Sequence, residues 1–276
     1  MKILLVDRDE TSTGLVQSYL KDKGHEVIVE PDRNRIFDHG DLDEFGAMFL
    51  DLSTQTSSIK FIADLKSRLN EKPYIVLMSQ EGNEKEAYKA SANAFLKKPV
   101  DKNALYDLIE QSQIFKGLAS KLRDPDKNFP YHKGIISNTA LNELFLASLD
   151  RTARYTENSM FLVFSLKNSA QIREDYGEKV EKQASDWVAN HIIRLRRQSD
   201  IMAQTDDNEH MILIQRPIYK DEPIDAAQRF RASFLQSSDI DMPEAGGKPL
   251  KLNINIRVIN LPSARKIMDE TIVLPS

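Results

Sequence analysis

The sequence contains no cysteine. This absence excludes disulfide bonds, thiolate metal sites and cysteine nucleophiles. The sequence also lacks any apolar run near the roughly 20 residues that a membrane-spanning helix needs; Ile3–Val6 and Met160–Phe164, for example, are far shorter. The N-terminus enters a strand pattern at once, without the long apolar core or small-residue cleavage site of a signal peptide. We therefore expect a soluble, cytoplasmic protein without membrane insertion.

Neither sign of charge predominates in this chain. Lys and Arg total 38 and Asp and Glu total 42, which gives a formal net charge of -4. This mildly acidic balance argues against nucleic acid as the main partner. Hydrophobic residues make up 41% of the 276 residues, which is enough apolar material for two domains of ordinary size.

Residues 1–115 alternate between buried-strand and amphipathic-helix patterns. The strand-like runs are Ile3–Val6, Glu26–Val29, Ala47–Leu50, Tyr74–Met78 and Ala94–Leu96. The helical patterns between them cover Thr11–Lys23, Ser58–Leu69, Glu84–Ala92 and the segment from Lys102 onward. This alternation predicts an α/β fold, a doubly wound parallel sheet with helices on both faces.

The stretch from Arg123 to Gly134 contains two prolines, a glycine and alternating charges, which indicates a domain boundary. We expect a first domain over 1–122, a linker over 123–136 and a second domain over 137–276. In the second domain, helical stripes alternate with strand patterns at Met160–Leu166, Ile201–Gln204 and His210–Ile214. Leu250 to Val258 then alternate with mostly polar neighbours until Asn260, as in a strand with one covered face. This mixture predicts an α+β domain with a mostly antiparallel sheet.

Polar side chains follow several strands of the predicted parallel sheet. Asp7, Asp51 and Ser79 come at the ends of the first, third and fourth strands, and Lys98 ends the fifth. The carboxyl ends of parallel strands meet at one edge of the sheet, so these side chains should converge. Two carboxylates there could bind Mg²⁺, and a lysine and a hydroxyl could hold a phosphoryl group.

This constellation resembles the receiver domain of two-component response regulators, which has a flavodoxin-like fold. The resemblance is carried by Val6–Glu10, Phe49–Leu52, Leu77–Ser79 and Phe95–Pro99. It implies that Asp51 is the phosphoacceptor, Asp7 an acid of the metal pair, Ser79 the switch hydroxyl and Lys98 the phosphate-binding lysine.

One departure from that family lies beside Asp7. The second acid of the family is Arg8 here, and a guanidinium cannot coordinate Mg²⁺. Arg8 could instead pair with Asp51 and imitate part of the bound cation. Alternatively, Asp7, Asp51 and Lys98 form a structural salt-bridge network in a receiver that is never phosphorylated.

Residues 137–262 resemble a GGDEF domain, the diguanylate cyclase fold. The resemblance is carried by the order of the strand Phe161–Leu166, the segment Gln171–Gly177, the long helix after it, Ser199–Ala203 and the following hairpin. The signature pentapeptide of that family falls on Asp206, Asp207, Asn208, Glu209 and His210.

By that resemblance the catalytic groups are missing. The metal-binding acids correspond to Ser165 and Asn208, and the guanine-reading residues to Arg173 and Lys182, so that only Glu209 survives. Two-metal phosphoryl transfer needs anionic ligands, which neither Ser165 nor Asn208 supplies. We expect a degenerate cyclase that is not an enzyme.

The resemblance also implies a cyclic di-GMP site outside the catalytic centre. Cyclases of this family often carry Arg-x-x-Asp shortly before the signature, and here Arg197 and Asp200 stand at that spacing. Arg229 falls where the family has a second ligand-contacting arginine. An arginine fork suits guanine O6 and N7, and a carboxylate can accept from N1–H and the amino group. Alternatively, these arginines only stabilise a helix end and Asp200 only caps a turn.

We expect a non-enzymatic bacterial signalling effector that binds cyclic di-GMP. Its receiver would dock on another signalling or polarity-type protein or form a homodimer. A ligand-free protein–protein scaffold built from a pseudo-receiver and a dead GGDEF domain is the alternative. An active diguanylate cyclase is a third hypothesis, against which Ser165 and Asn208 count.

Overall fold

The computed structural model describes residues 1–51, 55–69, 73–129, 134–237 and 243–274. The chain divides into two compact units. The first unit contains Met1–Ser120, Ala147–Glu157 and Leu261–Arg265. The second contains Lys121–Leu146, Asn158–Asn260 and Lys266–Ser276. The predicted domain limits of 1–122, 123–136 and 137–276 stay a prediction.

A five-stranded sheet forms the centre of the first unit. Its strands are β1 (Lys2–Val6), β2 (Glu26–Glu30), β3 (Ala47–Asp51), β4 (Tyr74–Ser79) and β5 (Ala94–Lys97). They pair in the order β2-β1-β3-β4-β5, and every pair is parallel. The helices between and after them are α1 (Glu10–Lys21), α2 (Gln55–Ser67), α3 (Glu84–Lys89) and α4 (Lys102–Arg123). The predicted α/β doubly wound fold is confirmed.

The near-continuous apolar sequence of these strands explains their central position. Residues 3–6 of β1 and 47–50 of β3 are buried throughout, as expected for strands covered by helices on both faces. Helix α1 begins where Asp9 accepts a hydrogen bond from the Thr11 backbone N–H at 3.0 Å. The loop after β1 is thereby fixed, and this loop carries Asp7 and Arg8.

The second unit contains a six-stranded mixed sheet. Its strands are β6 (Ile135–Ile136), β7 (Ser159–Leu166), β8 (Ile201–Asp206), β9 (Glu209–Gln215), β12 (Leu252–Leu261) and β13 (Lys266–Leu274). They are arranged in the order β13-β12-β7-β9-β8-β6. The pairs β7–β9, β8–β9 and β12–β13 are antiparallel, and β6–β8 is parallel. The predicted α+β fold with a mostly antiparallel sheet is confirmed.

In the part of the chain that the structure describes, four further α-helices and a short hairpin follow α4. The helices are α5 (Asn138–Tyr155), α6 (Ser169–Tyr176), α7 (Glu178–Leu195) and α8 (Glu222–Leu235), and the hairpin pairs β10 (Glu244–Ala245) with β11 (Lys248–Pro249). Among the residues that the structure describes, no helix is long and apolar enough to cross a membrane.

Strand β13 is absent from the sequence prediction. Most of its residues are exposed, because it lies at the edge of the sheet and pairs through its backbone with β12. An exposed edge strand has no apolar alternation, and the hydrophobic pattern therefore gives no signal for it.

An aromatic cluster anchors the core of the second unit. Phe164 of β7 is fully buried, and its ring centroid lies 5.0 Å from that of Phe230 and 6.4 Å from that of Phe234 on α8. These contacts hold α8 against the sheet.

Replacing Phe164 by alanine should lower the free energy of unfolding by about 3–5 kcal/mol, because the ring is fully buried and its removal leaves a cavity in the core. Urea unfolding monitored by circular dichroism measures the change. The matched control is Ile267→Ala, since Ile267 is 40% exposed and its loss should cost less than about 1 kcal/mol. Equal effects for the two variants would contradict the packing described for Phe164.

Candidate functional site

The carboxyl edge of the parallel sheet brings Asp7, Asp51 and Lys98 together. The Lys98 ammonium forms an ion pair with Asp7 Oδ2 at 2.6 Å and donates a hydrogen bond to Asp51 Oδ2. Asp7 and Lys98 are buried, and Asp51 is 29% exposed. Burial alone would lower the pKa of Lys98, but the two carboxylates outweigh it and the pKa is raised. Lys98 therefore stays charged between the two acids.

Arg8 and Ser79 take other partners at this edge. The Arg8 side chain is 80% exposed; its Nε donates to the Pro31 carbonyl at 3.3 Å, and its Nη2 lies 3.9 Å from Asp32 Oδ1. Arg8 thus contacts the segment after β2, and these contacts differ from the expected pairing with Asp51. Ser79 Oγ accepts a hydrogen bond from the Glu81 N–H at 3.2 Å.

A pocket of about 360 Å³ opens beside these groups, lined by Val6, Asp7, Arg8, Asp9, Pro31, Arg33, Asn34 and Asp51. Magnesium needs several oxygen ligands in octahedral geometry. Here Lys98 contacts both acids, and Asp9 is used as the cap of α1. Within the described ranges, no group of three His, Cys, Asp or Glu side chains could hold a metal ion. Lys98 thus engages both acids of this pocket. Binding of Mg²⁺ at Asp7 and Asp51 and the role of Asp51 as phosphoacceptor stay predictions.

In the second unit, Glu209 is the centre of a buried polar cluster at the start of β9. Its Oε1 accepts from Lys121 Nζ at 2.7 Å and Thr205 Oγ1 at 3.0 Å. Its Oε2 accepts from Ser165 Oγ and from Arg257 Nη2, both at 2.9 Å. A carboxylate oxygen offers about two acceptor sites, so both oxygens of Glu209 are saturated by the protein itself.

The charges around Glu209 keep it ionised. Burial alone would raise the pKa of this carboxyl, but Lys121, Arg257 and Ser165 outweigh burial and lower it. Lys121 and Arg257 thus contact the Glu209 carboxylate, which a bound metal ion would need as a ligand. A divalent cation could reach Glu209 only by displacing them, and the residues of the cluster do not fit a metal pair.

The acidic turn before Glu209 is neutralised in the same way. Asp206 forms ion pairs with Lys127 at 2.7 Å and with Lys121 at 3.7 Å, and Asp207 lies 3.7 Å from Lys127. Burial would raise the pKa of Asp206, but the hydrogen bonds from Lys127 and from its own turn outweigh it and lower the pKa. Each of the two aspartates of the turn therefore has a lysine partner.

A second pocket, of about 370 Å³, lies beside this turn and is lined by Phe129, Arg173, Glu178, Glu181, Lys182, Ser185, Asp186, Gln204, Asp207 and Asn208. The buried Glu181 organises it, since it accepts from Arg173 Nε and from Asn208 Nδ2. The exposed Lys182 also lines the pocket. Glu181 was missed by sequence reasoning because an acid in the first turn of a helix is commonplace.

Asp200 of the Arg-x-x-Asp segment is buried, and its Oδ2 accepts from the Arg197 backbone N–H at 3.0 Å. The Asp200 carbonyl accepts from Arg196 Nη1 at 2.7 Å. Asp200 therefore caps the turn before β8, as the alternative interpretation expected for this residue. The hydrogen bond from the Arg197 N–H to Asp200 Oδ2 also fixes the backbone position of Arg197.

The Arg197 side chain is half-exposed and donates from Nη1 to Glu222 Oε1. Glu222 is buried, and its Oε2 accepts from the Ile218 N–H. These bonds, the Ile218 N–H foremost, lower the pKa of Glu222, and the charge of the exposed Arg229 adds to them. Sequence reasoning missed Glu222, because it lies far from Arg197 along the chain and opens a helix as many acids do.

Solved structures provide the matches for this chain, since no protein-family model and no curated protein matches it. A two-component response regulator from Clostridium difficile is 17% identical with a TM-score of 0.35, covering 41% of this chain and 95% of that one. The FimX GGDEF domain from Pseudomonas aeruginosa is 14% identical with a TM-score of 0.41, covering 50% and 81%. The GGDEF domain of DgcB from Caulobacter crescentus, solved in complex with c-di-GMP, is 11% identical with a TM-score of 0.39, covering 46% and 74%. Both kinds of domain expected from the sequence are among the matches, and similarities of this size concern the fold alone.

His210 follows Glu209 in β9 and is buried. Burial lowers the pKa of His210 to about 4, and the Glu209 charge only partly opposes this. Between pH 6.5 and 4 the unfolded chain therefore binds a proton that the folded chain does not, so stability falls as pH falls. His210→Phe should remove this contribution, about 3 kcal/mol over the window, from the pH dependence of the free energy of unfolding.

Urea unfolding at intervals between pH 7 and pH 4 measures both slopes. His191 and His25 also have lowered pKa values, because burial disfavours their charged forms, and they keep the slope of the variant above zero. Identical pH profiles for the wild type and His210→Phe would contradict a neutral, buried His210.

Proposed function

We propose that this protein is a non-enzymatic signalling effector that binds cyclic di-GMP at Arg197, Asp200 and Arg229. The bound state would be passed to a protein partner through the receiver-like first unit. The observation that carries the proposal is the half-exposed Arg197 guanidinium, which Asp200 and Glu222 hold in place at the surface. A fixed and accessible arginine is suited to a planar, anionic ligand.

The absence of enzymatic activity is supported by the saturation of Glu209. Lys121 and Arg257 neutralise this carboxylate, and the neighbouring Ser165 and Asn208 are neutral side chains. Two-metal catalysis needs anionic ligands that hold the cations between substrate and protein. An active diguanylate cyclase is disfavoured for the same reason.

Ligand binding is supported by the charges around Arg197. A guanidinium has five N–H groups, and the bond from Nη1 to Glu222 leaves the Nε and Nη2 edge for a base or a phosphate. Arg229 is exposed and adds a second positive charge near Glu222. This pair of guanidinium groups suits guanine O6 and N7 and the phosphates of a dinucleotide.

The partner in this proposal is another signalling or polarity-type protein, or a second copy of this chain, docked on the receiver-like unit. The ligand can act on such a partner only if it prefers one conformation or assembly, and the coupling is then reciprocal. We propose that the signal enters through the dinucleotide, and the role of Asp51 as phosphoacceptor stays a prediction.

A ligand-free scaffold is the second candidate function. It is favoured by the internal partners of Arg197 and Asp200, since the Glu222 ion pair and the turn cap give both residues structural roles. The two functions differ in one measurable property, the affinity for cyclic di-GMP.

Titration calorimetry of the full chain with cyclic di-GMP should give saturable heat. Arg197→Ala should weaken binding by about tenfold or more, the usual loss for a hydrogen bond to a charged group, and Arg229→Ala should also weaken it. Arg154→Ala is the matched control, because Arg154 is exposed and forms an ion pair with Asp150, one helical turn away on its own helix. Absence of heat from the wild type at near-millimolar ligand would leave the scaffold, and equal affinities for all the variants would contradict the assigned site.

A further inference from the structure

Glu222 is buried although it is charged. It opens α8, where an acid that serves only the helix dipole can remain in solvent. Its side chain is instead 5% exposed, with Oε1 on Arg197 and Oε2 on the Ile218 N–H. Burying a carboxylate is costly unless it is paired and hydrogen-bonded, so these contacts are what keep Glu222 in place.

Ile218 and Tyr219, which precede α8, are held by hydrogen bonds although their apolar groups are exposed to solvent. Glu222 holds its backbone at Ile218, and the Tyr219 hydroxyl donates to Asp225 Oδ2 at 2.7 Å. Ile218 is 86% exposed and Tyr219 is 52% exposed. An aromatic ring that is fixed through its hydroxyl and open on its surface can stack on a planar ligand.

Tyr219 lies close enough to Arg197 and Glu222 for their charges to act on its hydroxyl. The pKa of the Tyr219 hydroxyl is raised chiefly by its hydrogen bond with Asp225, and the charges of Glu222 and Arg197 also act on it. Glu222 thus lies between the guanidinium and the segment that carries the phenol ring. A guanine base offers an acceptor edge to an arginine and a flat face to an aromatic ring.

We propose that Glu222 is a positioning residue for the dinucleotide site and that Tyr219 is the stacking surface for one of its guanine bases. The Glu222 carboxylate orients Arg197 towards the edge of the base and holds Tyr219 beside its face. This inference rests on the proposed binding of cyclic di-GMP and adds Glu222 and Tyr219 to that site.

Whether removal of Glu222 weakens or strengthens ligand binding distinguishes a positioning role from a purely electrostatic one. The ligand is an anion, so removal of a nearby negative charge should by itself strengthen binding. Loss of a positioning carboxylate should weaken binding, because Arg197 and the segment of Tyr219 then lose their fixed orientations. Asp221 is the matched control, since it is the exposed acid next to Glu222 and its side chain makes no capping hydrogen bond.

Calorimetry of the full chain with cyclic di-GMP tests the proposal. Glu222→Ala should weaken binding about tenfold. Glu222→Gln should recover part of that loss, because its amide oxygen can still accept from Arg197. Asp221→Ala should leave the affinity unchanged or raise it. Glu222→Ala binding as well as or better than the wild type would overturn the positioning role.

Tyr219 is tested by two variants. Tyr219→Ala should weaken binding about tenfold, the typical loss on removing a ring that stacks on a base. Tyr219→Phe keeps the ring and should bind within about threefold of the wild type. Equal affinities for Tyr219→Ala and the wild type would overturn the stacking role.

A spectroscopic measurement separates these roles from general destabilisation. In the wild type, cyclic di-GMP should shift the ring-proton resonances of Tyr219 upfield, because the ring lies against the base. The same shift should be lost in Glu222→Ala, with α8 still folded by circular dichroism. If the wild type does not bind cyclic di-GMP, the proposed function fails. If the wild type binds, Arg197→Ala does not bind, and the Glu222 and Tyr219 variants bind as well as the wild type, only the inference about Glu222 and Tyr219 fails.

Discussion

The buried Glu209 carboxylate, with Lys121 and Arg257 bonded to it, is the interaction on which the chemistry of the second unit depends. Removing the Glu209 carboxylate from water costs several kcal/mol, and only near-complete pairing offsets that cost. Lys121 and Arg257 supply the opposite charge while their own side chains stay partly exposed. The pairing here is complete, since Ser165 and Thr205 fill the remaining acceptor sites of Glu209. The β8–β9 turn is therefore a neutralised structural element in which the positive charges are fixed side chains.

The first unit follows the same principle at the edge of its parallel sheet. Lys98 lies between Asp7 and Asp51, and Arg8 is directed to Pro31 and Asp32. A lysine ammonium supplies positive charge but cannot exchange ligands as a hydrated metal ion does. In both units, the clustered carboxylates are thus paired with cationic side chains of the protein. At Arg197, by contrast, one donor edge of a half-exposed cation is left for a ligand.

The fold and part of the site could be predicted from the sequence, because the signals are local. Buried strands of a parallel sheet are short apolar runs, and residues that directly follow them must meet at one edge, as Asp7, Asp51 and Lys98 do. The partners Lys121, Arg257 and Glu222 could not be predicted, since each lies on a polar position of another element and meets its partner only through tertiary structure. The direction of Arg8 depends on the segment after β2, which carries no periodic signal.

Manganese binding, followed through the electron paramagnetic resonance signal of free Mn²⁺, tests the central claim most directly. If Lys121 and Arg257 occupy the place of metal ions at Glu209, added Mn²⁺ stays free, and the wild type and Glu209→Gln give the same titration curve. Stoichiometric uptake of Mn²⁺ by the wild type that is lost in Glu209→Gln would contradict the account, because it would place a metal ion on a carboxylate described as saturated.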